Sequence, residues 1–272
     1  MRMRIALLAG ILAVFLLPLA WTLLAAFGIL PDNSTRPPSW SGPFTLDHIA
    51  EVSVAETAFW QELATSTLSA AFATLITVGV SYPAAYTLAR SRSRVEATVV
   101  PSFVVLASLP AMSYVIPLSD LMGRAHLLDT LAGVVLSQAA ITAPLAVYVL
   151  HGALRQLPTD WEEAALMDGS GLWRTLLQVV LPLVAPSVIA TAIVVFVLDW
   201  NMLLVPLVLT AGEVKTVPVA MSDFFTFERE LEWPSAAAAL VISLAPVALL
   251  VGAFHRALGR FSLQAVGQSS DE

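Results

Sequence analysis

The hydrocarbon core of a bilayer is about 30 Å thick, and a helix crosses it with about 20 consecutive apolar residues. Six runs of that kind follow one another along this chain, at residues 5–29, 63–89, 98–118, 131–150, 183–207 and 235–254. Their bounds are charges or turn residues. With 58% hydrophobic and 12% charged residues among 272 and a mean hydropathy of +0.82, the composition lies outside that of ordinary soluble domains. The expected fold is an all-α membrane protein of six transmembrane helices, one transmembrane domain over residues 1–272. The first run follows "MRMR", as a signal peptide would. It exceeds the roughly 7–15 apolar residues of such a segment, so it is read as a spanning anchor.

Basic residues fix the expected orientation. One set of intervening segments holds Arg2, Arg4, Arg90, Arg92, Arg94, Arg155, Arg174, Arg256 and Arg260; the other holds Arg36, Arg124, Lys215 and Arg229. Both termini are therefore expected in the cytoplasm (N-in/C-in), with an outer loop of about 30 residues after the first run, rich in Pro, Ser and acids. Prolines at 101, 110, 117, 144, 206 and 246 lie inside the runs. They are tolerated where neighbours or a water-lined cavity satisfy the freed carbonyls.

The same counts exclude several kinds of chemistry. The chain has no cysteine, and its four histidines, His48, His126, His151 and His255, stand singly, so no metal site is expected. A formal charge of −7 without a basic stripe speaks against nucleic acid. No GxxxxGK[ST] phosphate loop occurs, so no nucleotide or other cofactor is expected on the chain itself.

Between the fourth and fifth runs lies a cytoplasmic loop, residues 155–182, containing "TDWEEAALMDGSGLWRTLLQVVLP". Thr159 and Glu162 have the spacing of a capping box, which predicts a helix starting there. It runs about two turns and stops at Gly169, the residue best able to adopt a left-handed C′ conformation. Ser170 offers a second N-cap, leading through Leu172–Leu181 to Pro182. A short, capped surface helix suits docking to a partner. An interfacial helix that merely anchors the loop on lipid has the same pattern.

Glu163-Ala164-Ala165, then Gly169, Val179 and Leu181-Pro182 hold the register of the EAA motif. The chain thereby resembles the permease subunits of binding-protein-dependent ABC importers, with Val179 where isoleucine is usual. Three further stretches resemble the MalG-like carbohydrate branch: "AAYTLAR" (84–90), "MDGS" (167–170) and "WNMLLVPLVL" (200–209). The tail "FSLQAVGQSSDE" departs from that branch, as does Met202, which replaces the usual acid, while Asp199 precedes the tryptophan. The resemblance implies a type I ABC importer permease fold and multi-pass placement in a bacterial plasma (inner) membrane. It also implies that the loop is a coupling helix docked on a separate ATPase subunit through Glu162, Glu163, Ala164, Ala165, Asp168 and Gly169. The partners implied are ATPase subunits that use ATP and Mg, a second MalF-like permease, an extracytoplasmic substrate-binding protein, lipid and a sugar.

Asp199 is the one acid inside a run, about 25 Å up from Pro182 at 1.5 Å per residue. A charge in hydrocarbon costs at least about 2.5–3.5 kcal/mol, so it should face the bundle interior or water. Asp199, Trp200 and Asn201 are thus candidates for the substrate pathway, with Gln138 and Tyr114 as weaker ones. Each also fits a bond to a neighbouring helix or a place in the aromatic belt. The alternatives are a permease for polyamines or another non-sugar substrate and, more remotely, an ion-driven secondary transporter. The latter would show more embedded acids and an inverted repeat. An enzyme would need a paired-acid or nucleophile–base site, which is not found.

Overall fold

The computed structural model describes residues 2–29, 31–32, 39–40, 44–52, 57–91, 94–223 and 233–267. Most of the outer loop after the first run, Arg92, Arg229 and the end of the C-terminal tail lie outside them. Apart from a two-stranded bridge, β1 (Pro31–Asp32) with β2 (Ser39–Trp40), the described elements are helices. These are α1 (Arg2–Ala26), α2 (Asp47–Ala50), α3 (Thr57–Arg90), α4 (Arg94–Ala107), α5 (Met112–Arg124) and α6 (Leu131–Gln156). Then follow α7 (Asp160–Met167), α8 (Leu172–Thr175), a π turn (Leu176–Val180), α9 (Leu181–Trp200), α10 (Leu204–Leu209), α11 (Val217–Asp223) and α12 (Trp233–Gly267). Among the described residues, four helices are long and apolar enough to cross a membrane: Ala58–Arg90, Leu131–Gln156, Leu172–Trp200 and Pro234–Phe254. The bent pair α4–α5 is a broken span or a re-entrant loop, and would make a fifth crossing in the first case; Gly10–Ala26 is a shorter apolar helix.

Two of the expected spans are not single rods. The run 98–118 breaks between Ala107 and Met112, where α4 and α5 meet at 94°. Pro110 sits in that break; it has no amide to donate, and it disfavours helical backbone at Leu109 before it. The expected span 183–207 instead begins at Leu172 and ends at Trp200. Pro206 cannot donate to the carbonyl of Met202, so the helix does not pass through and restarts as α10. The π turn sits immediately ahead of Pro182, whose ring would otherwise crowd the carbonyl of Gln178.

The chain divides into two compact units, Met1–Ala64 with Val219–Val247, and Thr65–Pro218 with Ala248–Glu272. In the first, the Phe27 carbonyl accepts from the Thr45 amide at 3.0 Å and the Phe27 and Phe44 rings stack at 4.8 Å. Ser235 there donates to Glu51 at 3.2 Å.

In the second unit α6 packs against both α4 and α9. One face of α3 carries Ala70, Ala73, Thr77, Ser81, Ala85 and Ala89, all buried. Small side chains at helical spacing let backbones approach, and hydroxyls bond across, as in other membrane bundles. Thr77 and Thr142 are joined at 3.1 Å, and Ser81 donates to the Ala143 carbonyl at 3.4 Å. Outward-facing Leu75, Val80, Ile116 and Leu249 are 62–73% exposed, as a lipid-facing surface requires.

α6 starts on a tight turn. The Thr130 hydroxyl accepts from the Gly133 amide at 3.0 Å, and a Cβ on Gly133 would lie 2.1 Å from the Leu127 carbonyl oxygen. Asp129 beside it has φ +53. Its carboxylate accepts the amides of Glu213 and Val214 at 3.3 and 3.2 Å, tying this turn to the loop before α11.

Candidate functional site

The helix expected in the 155–182 loop is α7, and it ends as its sequence dictates. Gly169 has φ +84; its amide donates to Leu166 O, and that of Ser170 to Ala165 O, both at 3.0 Å. This double closure is a Schellman motif. Acids Asp160, Glu162 and Glu163 fill the first turn, where the helix dipole favours negative charge.

The start of α7 differs from the expected capping box. The Thr159 side chain makes no cap bond, and Glu162 turns away from the helix end. Ser170 likewise does not cap α8, whose N-cap is Gly171. Glu162 is 4% exposed and accepts from the Tyr86 hydroxyl at 2.9 Å and from Arg90 Nε at 3.0 Å to both oxygens, with Arg90 Nη2 as a further donor. A charge-assisted bidentate pair in a buried site outweighs a local cap. Glu162 is therefore committed within the chain and is not part of an outward docking face, contrary to the sequence reading.

Arg90 also donates to the carbonyls of Leu154 and Leu157, at 3.0 and 3.3 Å. Both carbonyls lie at the end of α6, where that of Leu154 also accepts the Leu157 amide at 3.3 Å. One turn up α3 lies Tyr86, and one turn further Tyr82, whose hydroxyl donates to the Leu176 carbonyl in the π turn at 2.8 Å. Residues 82, 86 and 90 share one helix face through their spacing of four. The face closes over a core of Tyr82, Tyr86, Leu150, Leu154, Leu176 and Val180. The spacing was visible in the sequence; which elements it would meet was not.

The other candidate docking residues face out: Glu163, Ala164, Asp168 and Gly169 are exposed and Ala165 is half-buried. Around them the structure adds an apolar surface that the sequence reading did not single out, with Met167 89%, Trp173 66%, Trp161 59% and Leu172 57% exposed. Large apolar side chains grouped at an aqueous loop mark a contact surface.

The pathway candidates do not form one cluster. Asp199 is 1% exposed, and among the described residues neither carboxylate oxygen has a hydrogen-bond partner. Gln138 is brought to it, donating to the Asp199 backbone carbonyl at 3.0 Å while its own Oε1 is unsatisfied. Trp200 is buried and stacks on Phe196 at 6.0 Å. Asn201 is exposed and donates to Val197 O of its own helix at 2.7 Å. Tyr114 packs, half-buried, in a separate cluster with Val115, Val205 and Leu209.

Residues 78–262 match the family described as binding-protein-dependent transport system inner membrane component. The chain is 30% identical over 253 residues to the trehalose/maltose transport system permease protein MalG of Thermococcus litoralis, covering 92% of this chain and 90% of that one. It is 30% identical to the probable ABC transporter permease protein y4oR of Sinorhizobium fredii, covering 86% and 83%. With the trehalose transport system permease protein SugB of Mycobacterium tuberculosis it shares 35% identity over 67% of this chain and 68% of the relative. In fold it is similar to a chain in the crystal structure of a bacterial ABC transporter involved in the import of the acidic polysaccharide alginate. There the TM-score is 0.77, at 18% identity, covering 93% of this chain and 94% of the other.

Proposed function

Because this chain belongs to the binding-protein-dependent transport family of inner membrane components, we propose that it is the permease subunit of an ATP-driven importer for a sugar or oligosaccharide. The carbohydrate named for the MalG and SugB relatives supports that substrate class. In this reading α7 docks on a separate ATPase subunit. A second, MalF-like permease completes the pathway, and an extracytoplasmic binding protein delivers the substrate. Six spans with both termini inside follow from the six apolar runs and from nine basic residues on one side against four on the other.

The observation that carries the docking role is a helix presenting Glu163 and Met167 outward, with Trp173 exposed on α8 just beyond its C-terminal turn, while the neighbouring acid, Glu162, is locked inward. Alternating access then requires the two permeases to rock as the ATPases close. Asp199 and Gln138 reach the substrate only when α9 moves against α6, since both are 1% exposed here. Purification from native membranes tests the assembly, and Glu163→Lys tests the docking face. That variant should insert normally yet retain less ATPase subunit and show reduced substrate-stimulated ATP hydrolysis. Normal transport by Glu163→Lys would remove this acid from the docking role.

A further inference from the structure

Three polar rungs on α3 reach segments on both sides of the docking helix. Arg90 holds the last carbonyls of α6 together with Glu162 on α7, and Tyr86 holds Glu162 as well. Tyr82 holds Leu176, which lies beyond the Schellman turn on the way into α9. Both arms of the docking loop are thereby fastened to one helix. At the far end of the same helix, Ser66 accepts the amide of Val217 at 2.7 Å in a buried bond, fixing the start of α11. From Ser66 to Arg90 the rod is about 36 Å long at 1.5 Å per residue, enough to cross a core of about 30 Å.

We propose that Tyr82, Tyr86 and Arg90 are positioning residues that make α3 the rod through which displacement of the docking loop reaches the opposite face at Val217, and through which a signal from that face returns. This rests on the docking reading above. The chemistry suits transmission. A guanidinium bound at once to a carboxylate and two carbonyls has a fixed orientation, which a lysine cannot reproduce with its single rotating ammonium. Coupling needs an element both ends of which are held, and here one end is held by the buried bonds of Tyr82 and Tyr86 with the part-buried ones of Arg90, the other by the buried Ser66–Val217 bond. Glu163 and the exposed apolar face take no part in the ladder, so contact with the ATPase and transmission along α3 are separable.

The test uses the whole complex, with its ATPase and second permease, reconstituted in lipid with its co-purified binding protein as isolated. Two quantities are read: ATPase subunit retained per permease, and the ratio of ATP hydrolysis with binding protein to hydrolysis without it. Stimulation must travel from the outer face to the ATPase, whereas retention depends only on the docking face. Arg90→Gln should keep the ATPase while the stimulation ratio falls about tenfold, inside the roughly 5–150-fold range of coupling between sites. Arg90→Lys should recover only part of it. Tyr86→Phe, which removes one bond and no charge, guards against misfolding and should lower the ratio by about twofold with normal retention. An unchanged ratio in both Arg90→Gln and Tyr86→Phe overturns the proposal, as does loss of ratio only in proportion to lost ATPase subunit. Absence of an ATPase from the unmodified complex would instead overturn the docking reading itself.

Discussion

Two neighbouring glutamates on α7 should respond very unequally to removal. Glu162→Ala deletes a carboxylate that is 6% exposed in its side chain and faces an Arg90 side chain 19% exposed. Breaking one partner of a buried ion pair costs about 3–5 kcal/mol. Arg90 keeps its two carbonyl acceptors at Leu154 and Leu157, which places the cost near the lower end, about 3 kcal/mol. At roughly 2–4 °C per kcal/mol for a chain of this size, the midpoint of thermal unfolding should fall by about 6–12 °C. Glu163→Ala removes an exposed side chain and should change stability by no more than about 0.5 kcal/mol, or about 2 °C. The assay is a thermal scan of both variants in one detergent, followed by tryptophan fluorescence, with Trp161 and Trp173 reporting from the loop itself. Equal shifts, or a larger one for Glu163→Ala, would refute the inward orientation of Glu162.

Asp129 should make the turn before α6 acid-sensitive. Partial desolvation raises its carboxyl, but donation by the amides of Glu213, Val214, Ala211 and Gly212 outweighs that and holds it below the ordinary value. A depressed folded value means stability fully present above the unfolded pKa of about 3.9 and lost as pH falls through the lower folded value. Exchange of the Glu213 and Val214 amides should therefore accelerate, relative to the loop's other amides, only below about pH 4; the same profile in Asp129→Asn would sink the assignment. Gly133→Ala should be poorly tolerated, because its Cβ would meet backbone at 2.1 Å and push on the Thr130 cap. Overpacking of about 1–3 kcal/mol and a cap worth about 1 kcal/mol should together lower the unfolding midpoint by several degrees. Gly152→Ala, with nothing within 4 Å of the added atom, serves as the control, and equal effects would refute the crowding.

What could be read from the sequence follows from how local its cause is. The apolar runs were legible because hydrocarbon thickness sets their length, and Gly169 because few other residues accept φ +84. Prolines were less legible. Pro144 lies inside an unbroken α6 while Pro110 marks a 94° break, and a lost amide alone does not distinguish them, since the outcome depends on what packs around each. Glu162 misled for the same reason. Its capping pattern is written within four residues, whereas the partner that claims it, Arg90, is 72 positions away. Asp199 and Gln138 were picked out by polarity in an apolar run, yet polarity does not say that one would bond to the other's backbone.

The π turn at Leu176–Val180 sets a phase relation. A residue advances an α-helix by about 100°, and a π turn holds one residue more than the α-helical turn it replaces. Deleting a single residue there would let α8 run into α9 as uninterrupted helix, with its apolar character preserved. The docking loop would keep its phase against the face that carries Asp199, because the residue removed is the one the wider turn absorbs, whereas the same deletion within the α-helical part of α9 would rotate it by about 100°. Length is thus constrained more tightly than composition in the regular helix that follows: apolar exchanges at exposed positions of α9 leave the phase untouched, while one insertion or deletion between Leu181 and Asp199 turns the loop against that face by about 100°.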